Sequence, residues 1–298
     1  MKYLILILLF LGSHAVRLCG QTILPTPDYL EKANGQLQLQ GKIRMHTQDA
    51  SASFLHLFYE KLIPKSAVEW CSEKGHSQIS WEKDATLPAE GYRILVTPEK
   101  MTVRAADNAG FIYAVQSLRQ WGTREGYKLI FPCAEITDFP RVKWRSFMLD
   151  SGRQYQKIST IKKYIDMASM LKMNYFHWHL TEGLGWRIEI KRYPLLTRIG
   201  AFVGQGPEQQ GFYSQEEVKE IVSYAADLGI TVVPEIDMPG HAEAALNSYP
   251  RLGCFNIPVK VPQSGFTQNI FCAGKDSTLT FLQNVLDEVC RMFPSAYI

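Results

Sequence analysis

Asn174-Tyr175-Phe176-His177-Trp178-His179-Leu180-Thr181-Glu182-Gly183-Leu184-Gly185-Trp186-Arg187 is the stretch whose reading decides the fold. It begins as an apolar, aromatic run, which predicts a buried strand over 174–180. It ends in a Gly-rich loop that carries an acid, an indole and a guanidinium. Side chains alternate along a strand, so residues 177, 179 and 181 share one face. Two imidazoles and the Glu182 carboxylate thus arrive together at a strand's C-terminal end. That end is where α/β barrels place their chemistry. A buried strand whose histidines are hydrogen-bonded core residues is the plainer reading of the same letters.

The flanking segments alternate strand and helix. Trp144 to Asp150 reads as a strand ending in Leu149-Asp150-Ser151-Gly152-Arg153. A helix is expected over Ser159–Lys172, with Ile161, Ile165, Ala168 and Leu171 facing inward. After a long loop through Pro194 and Gly211, Ser214-Gln215-Glu216-Glu217 forms a capping box. It opens a helix with Val218, Ile221, Val222 and Ala225 on one face, stopped by Gly229. Ile230 to Val233 is the next strand and runs into Pro234-Glu235-Ile236-Asp237-Met238-Pro239-Gly240-His241. Asp276 or Ser277 is expected to cap a last helix bearing Leu282, Val285, Leu286 and Val289. Ala296-Tyr297-Ile298 reads as the opening of another strand. Strict alternation argues for parallel strands, in a barrel or an open doubly wound sheet. No GxGxxG or GxxxxGK[ST] pattern follows any strand, so nucleotide binding has no support.

Residues 22–138 follow a different regime, which changes near Phe139-Pro140. Leu37 and Leu39 alternate with Gln, and residues 50–62 carry helical spacing through Phe54, Leu57, Phe58 and Leu62. Residues 92–97 and 101–105 alternate around Pro98-Glu99-Lys100, a hairpin. A helix is expected over about 109–121, with Phe111, Val115 and Leu118 as its stripe. This α+β module gathers no cluster of catalytic residue types and reads as a structural or docking domain.

The 298 residues, 46% of them hydrophobic, suffice for two domains with real cores. Net charge is +3, and Lys2 and Arg17 leave +1 beyond residue 20, so no basic patch invites nucleic acid. Lys2, the apolar run Tyr3–Leu11 and Ser13-His14-Ala15 read as a secretory signal over 1–20, too short to span a bilayer. Secreted or periplasmic placement is therefore expected. A lipid anchor at Cys19 is disfavoured by the bulky Leu18. Cysteines occur at 19, 71, 133, 254, 272 and 290, with no CxxC pair, which argues against a zinc site. Cys254 and Cys272 flank an irregular segment and suit one bridge in an oxidising compartment.

The strings Leu149-Asp150-x-x-Arg153, His177-Trp178-His179-Leu180-Thr181-Glu182-x-x-Gly185-Trp186-Arg187 and Pro234-Glu235-Ile236-Asp237-Met238-Pro239-Gly240-His241 resemble the exo-acting β-N-acetylhexosaminidases of glycoside hydrolase family 20. Tyr193-Pro194-Leu195-Leu196-Thr197 and Phe271-Cys272-Ala273-Gly274 fit as well. Gly91-Tyr92 and the 110–120 helix resemble the domain that precedes that family's barrel. The resemblance implies an α+β N-terminal domain (22–138) followed by a (β/α)8 TIM-type barrel domain (141–298), incomplete here at about three and a half βα units. It implies removal of terminal β-linked N-acetylglucosamine or N-acetylgalactosamine from oligosaccharides and glycoconjugates by a substrate-assisted retaining mechanism. No cofactor and no metal are implied. The candidate catalytic residues are Glu182 and His241, as a pair, with Asp237 in support. Arg153 is the candidate substrate-binding residue. Many relatives have Asp at the position of Glu182, then a second acid and Gln where this chain has Gly183-Leu184, so a longer arm has to be seated.

In this family a His-x-Gly-Gly-Asp-Glu string carries the acetamido-orienting Asp and the proton-donating Glu, and no such string occurs up to Ile298. The expectation is a fragment, the N-terminal portion of such an enzyme, inactive alone. A non-catalytic carbohydrate-binding or structural remnant is the alternative. A metal-dependent barrel hydrolase using His177, His179, His241 and Asp237 is the third reading.

Overall fold

The computed structural model describes residues 22–49, 52–203, 206–261 and 269–298. The expected signal segment and Cys19 lie outside the described residues.

The first region is a mixed sheet with helices packed on it. Its strands are β1 (Tyr29–Leu39), β2 (Ile43–Thr47), β3 (Val68–Trp70), β4 (Ile79–Lys83), β5 (Tyr92–Val96), β6 (Met101–Ala105), β7 (Thr123–Glu125) and β8 (Lys128–Asp138). They lie in the order β1-β8-β5-β6-β4-β2-β3, with β7 paired to β8. The expected hairpin is β5–β6, antiparallel in register Tyr92↔Ala105. Helix α1 spans Phe54–Lys61, within the expected 50–62. Helix α2 (Asn108–Trp121) starts at Asp107, whose side chain accepts from Gly110 N. Its apolar stripe meets the sheet, and Val115, Leu118, Ile94 and Val103 are fully buried. Burial of each such side chain contributes about 1.5–3 kcal/mol.

The second region holds the parallel strands β9 (Ser146–Asp150), β10 (Tyr175–His179) and β13 (Thr231–Glu235), in the order β13-β10-β9. A short hairpin, β11 (Thr181–Glu182) and β12 (Gly185–Trp186), follows β10. The helices are α3 (Ile158–Met170), α4 (Leu195–Arg198), α5 (Gln215–Asp227), α6 (Glu243–Ser248) and α7 (Asp276–Met292). Phe176, Trp178 and Val232 are buried on one face of the sheet, while Met148 on the other is 54% exposed. This is an incomplete β/α barrel. The capping box is present, with Ser214 accepting from Glu217 N and Glu217 accepting from Ser214 N. Gly229 ends the α5 turn in the left-handed region, at φ 75°.

Four expectations are corrected. Residues 296–298 form no strand; Tyr297 packs edge-on against Trp144 and pairs with no ladder. Neither Asp276 nor Ser277 caps α7, because Asp276 is already its first residue and the flanking Lys275 makes no side-chain cap. Leu171 does not face inward and is 37% exposed. The helix has ended at Met170, and Lys172 takes left-handed backbone (φ 59°), turning its own side chain in. Its Nζ reaches Asp138 Oδ2 at 2.7 Å and the Tyr92 hydroxyl at 2.9 Å. With Gln116 Nε2 donating to Ser169 Oγ at 2.6 Å, this joins the two regions through buried polar contacts. Cys254 and Cys272 are free thiols in contact, not a bridge. Their shared hydrogen bond raises the Cys254 thiol and lowers that of Cys272.

Candidate active site

Parallel register levels the strand ends. His179 lies opposite Asp150 on one side and opposite Glu235 on the other. Each strand therefore delivers its polar cluster to the same end of the sheet.

After β9 the chain turns sharply. Ser151 N and Gly152 N both donate to His179 O at 3.0 Å, and Arg153 N donates to Asp150 Oδ1 at 2.9 Å. Gly152 is required by close approach, since a Cβ there would lie 2.8 Å from Glu182 Cβ. The turn aims Arg153 back across the sheet. Its Nη1 pairs with Asp150 Oδ2, and its Nη2 donates to Glu182 Oε1 at 2.6 Å. Partial burial pulls this guanidinium down, but Asp150, with Glu182 and Asp237 nearby, more than offsets that and holds it above its ordinary value.

Glu182 is buried at the tip of the β11–β12 hairpin. Gly183-Leu184 makes the turn, and Leu184 N donates to Glu182 Oε2 at 3.2 Å. The Glu182 arm is thus seated by the backbone of its own turn. Its other oxygen, Oε1, meets Nδ1 of His241 as well as Arg153.

His241 arrives on the loop after β13 in left-handed backbone, φ 49°. A non-glycine residue there costs of order 1–3 kcal/mol and persists only when its surroundings enforce it. Asp237 N donates to Thr181 Oγ1 at 2.8 Å, and Phe271 N donates to Pro239 O at 2.9 Å. The buried Glu243 carboxylate accepts from Asn269 N at 2.8 Å and so ties the next segment to the same loop.

The two strand histidines do different work. His179 is buried, its Nε2 2.9 Å from Thr181 O and its Nδ1 3.5 Å from Glu235 Oε2. His177 is half-buried, its Nε2 2.6 Å from the same Glu235 oxygen. Among the described residues, two groups bring metal-ligating atoms within 4.8 Å of one another: His179, Glu235 and Asp237; and Glu182, Asp237 and His241. Neither unites His177, His179, His241 and Asp237, the set expected of a metal hydrolase. Each group belongs to the ion-pair mesh just described.

Arg153, Glu182 and His241 are therefore in direct succession, and Asp237 lies beside them, with Oδ2 3.9 Å from His179 Nε2. Side-chain pattern alone does not announce the Glu235 contacts with His177 and His179. Strand register carries them, because His179 and Glu235 end neighbouring strands.

The model of the glycosyl hydrolase family 20 catalytic domain matches residues 142–298, and that of the family's domain 2 matches residues 20–139. A β-hexosaminidase of Porphyromonas gingivalis is 38% identical over 296 residues, covering 93% of this chain and 38% of that protein. A solved β-N-acetylhexosaminidase structure from Bacteroides fragilis is 79% identical, with a TM-score of 0.89, covering 94% of this chain and 56% of that one. The structure of a mutant Streptomyces plicatus β-hexosaminidase in complex with the product N-acetylglucosamine is 31% identical, with a TM-score of 0.82, covering 92% of this chain and 57% of that one. The chain thus spans little more than half of these relatives at most.

Proposed function

The chain belongs to glycosyl hydrolase family 20, and from that premise we propose that it supplies the sugar-recognition part of a secreted or periplasmic β-N-acetylhexosaminidase. The substrates in this reading are glycans ending in β-linked N-acetylglucosamine or N-acetylgalactosamine. The observation that carries it is the succession Arg153–Glu182–His241 across three strand ends.

A guanidinium fork suits two vicinal hydroxyls of a terminal sugar. Arg153 is 41% exposed at its side chain, so it is accessible to a ligand while Asp150 and Glu182 orient it. Closing the site beyond that sugar makes the action exo. Asp150, Glu182, Glu235 and Asp237 place four carboxylates at one end of the sheet. Their field favours the positive charge that develops as the glycosidic bond breaks.

In the substrate-assisted route the acetamido oxygen bonds to the anomeric carbon while the leaving oxygen takes a proton. We assign that proton donor, and the Asp that orients the acetamido group, to a His-x-Gly-Gly-Asp-Glu string outside residues 1–298. Glu182, His241 and Asp237 then act as positioning residues. The 298 residues alone do not hydrolyse substrate in this account.

The test compares this chain with a longer form that includes such a string, on a chromogenic β-N-acetylglucosaminide. Hydrolysis by the longer form alone is expected. An inert longer form that still binds N-acetylglucosamine would point instead to a non-catalytic carbohydrate-binding protein.

A further inference from the structure

One buried cation has no part in the reading above. Arg187 is fully buried, and among the described residues no carboxylate is in ion-pair contact with it. Its guanidinium donates to backbone carbonyls instead. Nε serves Ser151 O at 3.1 Å and Gly152 O at 3.2 Å. Nη1 serves Ala201 O at 2.6 Å and Gly211 O at 3.2 Å, and Nη2 reaches Leu184 O at 3.4 Å. Main-chain bonds fix its base, with Arg187 N donating to Leu180 O at 2.9 Å and Tyr213 N donating to Arg187 O at 2.7 Å.

These carbonyls belong to three separate segments. Ser151 and Gly152 form the turn that aims Arg153. Leu184 lies in the hairpin turn that seats Glu182. Ala201 and Gly211 come from the long connection before α5. A Cβ on Gly185 would lie 2.1 Å from the guanidinium, so that glycine leaves room for it to pass. Burying a cation without a counter-ion is costly, and an apolar residue would avoid that cost. An apolar residue would also orphan the carbonyls, and lysine has only three donors on a flexible stem. Burial pulls Arg187 down to about 10, partly offset by Tyr213 and Asp150, so it stays charged at neutral pH.

We propose that Arg187 is a positioning residue for the sugar site, locking three loops into one unit that holds Arg153 and Glu182 in register. The proposal rests on the reading of Arg153 as the sugar contact.

The 298-residue chain and its Arg187→Lys variant test it with two readouts: hydrogen exchange at the Arg153 guanidinium by NMR, and titration with N-acetylglucosamine. The variant keeps the charge and loses the fork. Arg153 exchange is expected to accelerate about ten- to a hundredfold, and sugar affinity to fall similarly. Amides of the β5–β6 hairpin should exchange as before, which a merely global loss of stability would not allow. Guanidinium ion added to Arg187→Ala should restore Arg153 protection. Wild-type exchange at Arg153 in Arg187→Lys would overturn the proposal. A folded wild type that binds no N-acetylglucosamine, with Arg153 still released by the substitution, would sink the sugar reading and leave the lock standing. If the variants do not fold, wild type carries the test. Amides of Gly152, Arg187 and Gly211 exchanging as one unit support the lock, and independent exchange overturns it.

Discussion

Nη2 of Arg153 lies 2.6 Å from Oε1 of Glu182, and the same oxygen meets Nδ1 of His241. The carboxylate is 1% exposed at its side chain, while its two partners are 41% and 37% exposed. A buried acid thus holds two accessible groups by one atom. Such an acid is tolerated because it is paired and its second oxygen accepts from Leu184 N.

Replacing Glu182 with Gln should therefore destabilise the chain. Breaking a fully buried ion pair costs about 3–5 kcal/mol. Arg153 is 41% exposed, so water screens its side of the pair. The expected loss is about 1–3 kcal/mol, read by urea unfolding at neutral pH. A change below about 0.5 kcal/mol would place Glu182 among ordinary surface acids.

Two glycines near the site should respond oppositely to the same change. A Cβ on Gly152 would meet Glu182 Cβ at 2.8 Å and the Thr181 carbonyl carbon at 3.2 Å. Gly152→Ala should cost about 1–3 kcal/mol through overpacking. A Cβ on Gly240 would meet nothing within 4 Å, so Gly240→Ala should stay within about 0.5 kcal/mol of wild type. Equal effects in thermal unfolding would contradict the packing described between the Gly152 turn and the hairpin.

High pH should unfold the chain through its buried tyrosines. Burial raises Tyr92, helped by Asp138; burial raises Tyr113, helped by Glu90; and burial raises Tyr213. In the unfolded chain each ionises near 10, so above that pH the folded state binds more protons and stability falls. Lys172, lowered by burial against the opposing pull of Asp138, favours folding as pH rises toward 10.5. Arg187 does so above about 10. These three tyrosines set against that one arginine contribute a loss of about 3 kcal/mol per pH unit above roughly 10.5. Phenolate absorbance should reveal these tyrosines only as the fold is lost. Their titration in a still-folded chain would contradict the burial assigned to them.

The polar strings at strand ends were legible because strand periodicity and the order of motifs place them together. Asp150, His179 and Glu235 end three neighbouring strands, and alternation alone sends their side chains one way. What could not be read depends on backbone detours. Lys172 points inward only because its left-handed backbone reverses the helix stripe that would have buried Leu171. Arg187 binds carbonyls from residues 151, 152, 184, 201 and 211, and carbonyl positions leave no mark in side-chain pattern. The long strand β8 leaves no clean alternation, because Pro132 interrupts its run. Opposite it, β1 shifts register between Lys32 and Gln36, and the ladder resumes at Gln36↔Pro132.

Calorimetric titration of N-acetylglucosamine into the folded chain and into Arg153→Ala tests the central claim most directly. The account predicts saturable binding by wild type and an affinity lower by about tenfold or more in the variant. A folded wild type that does not bind the sugar, or that binds it no better than Arg153→Ala, would contradict it.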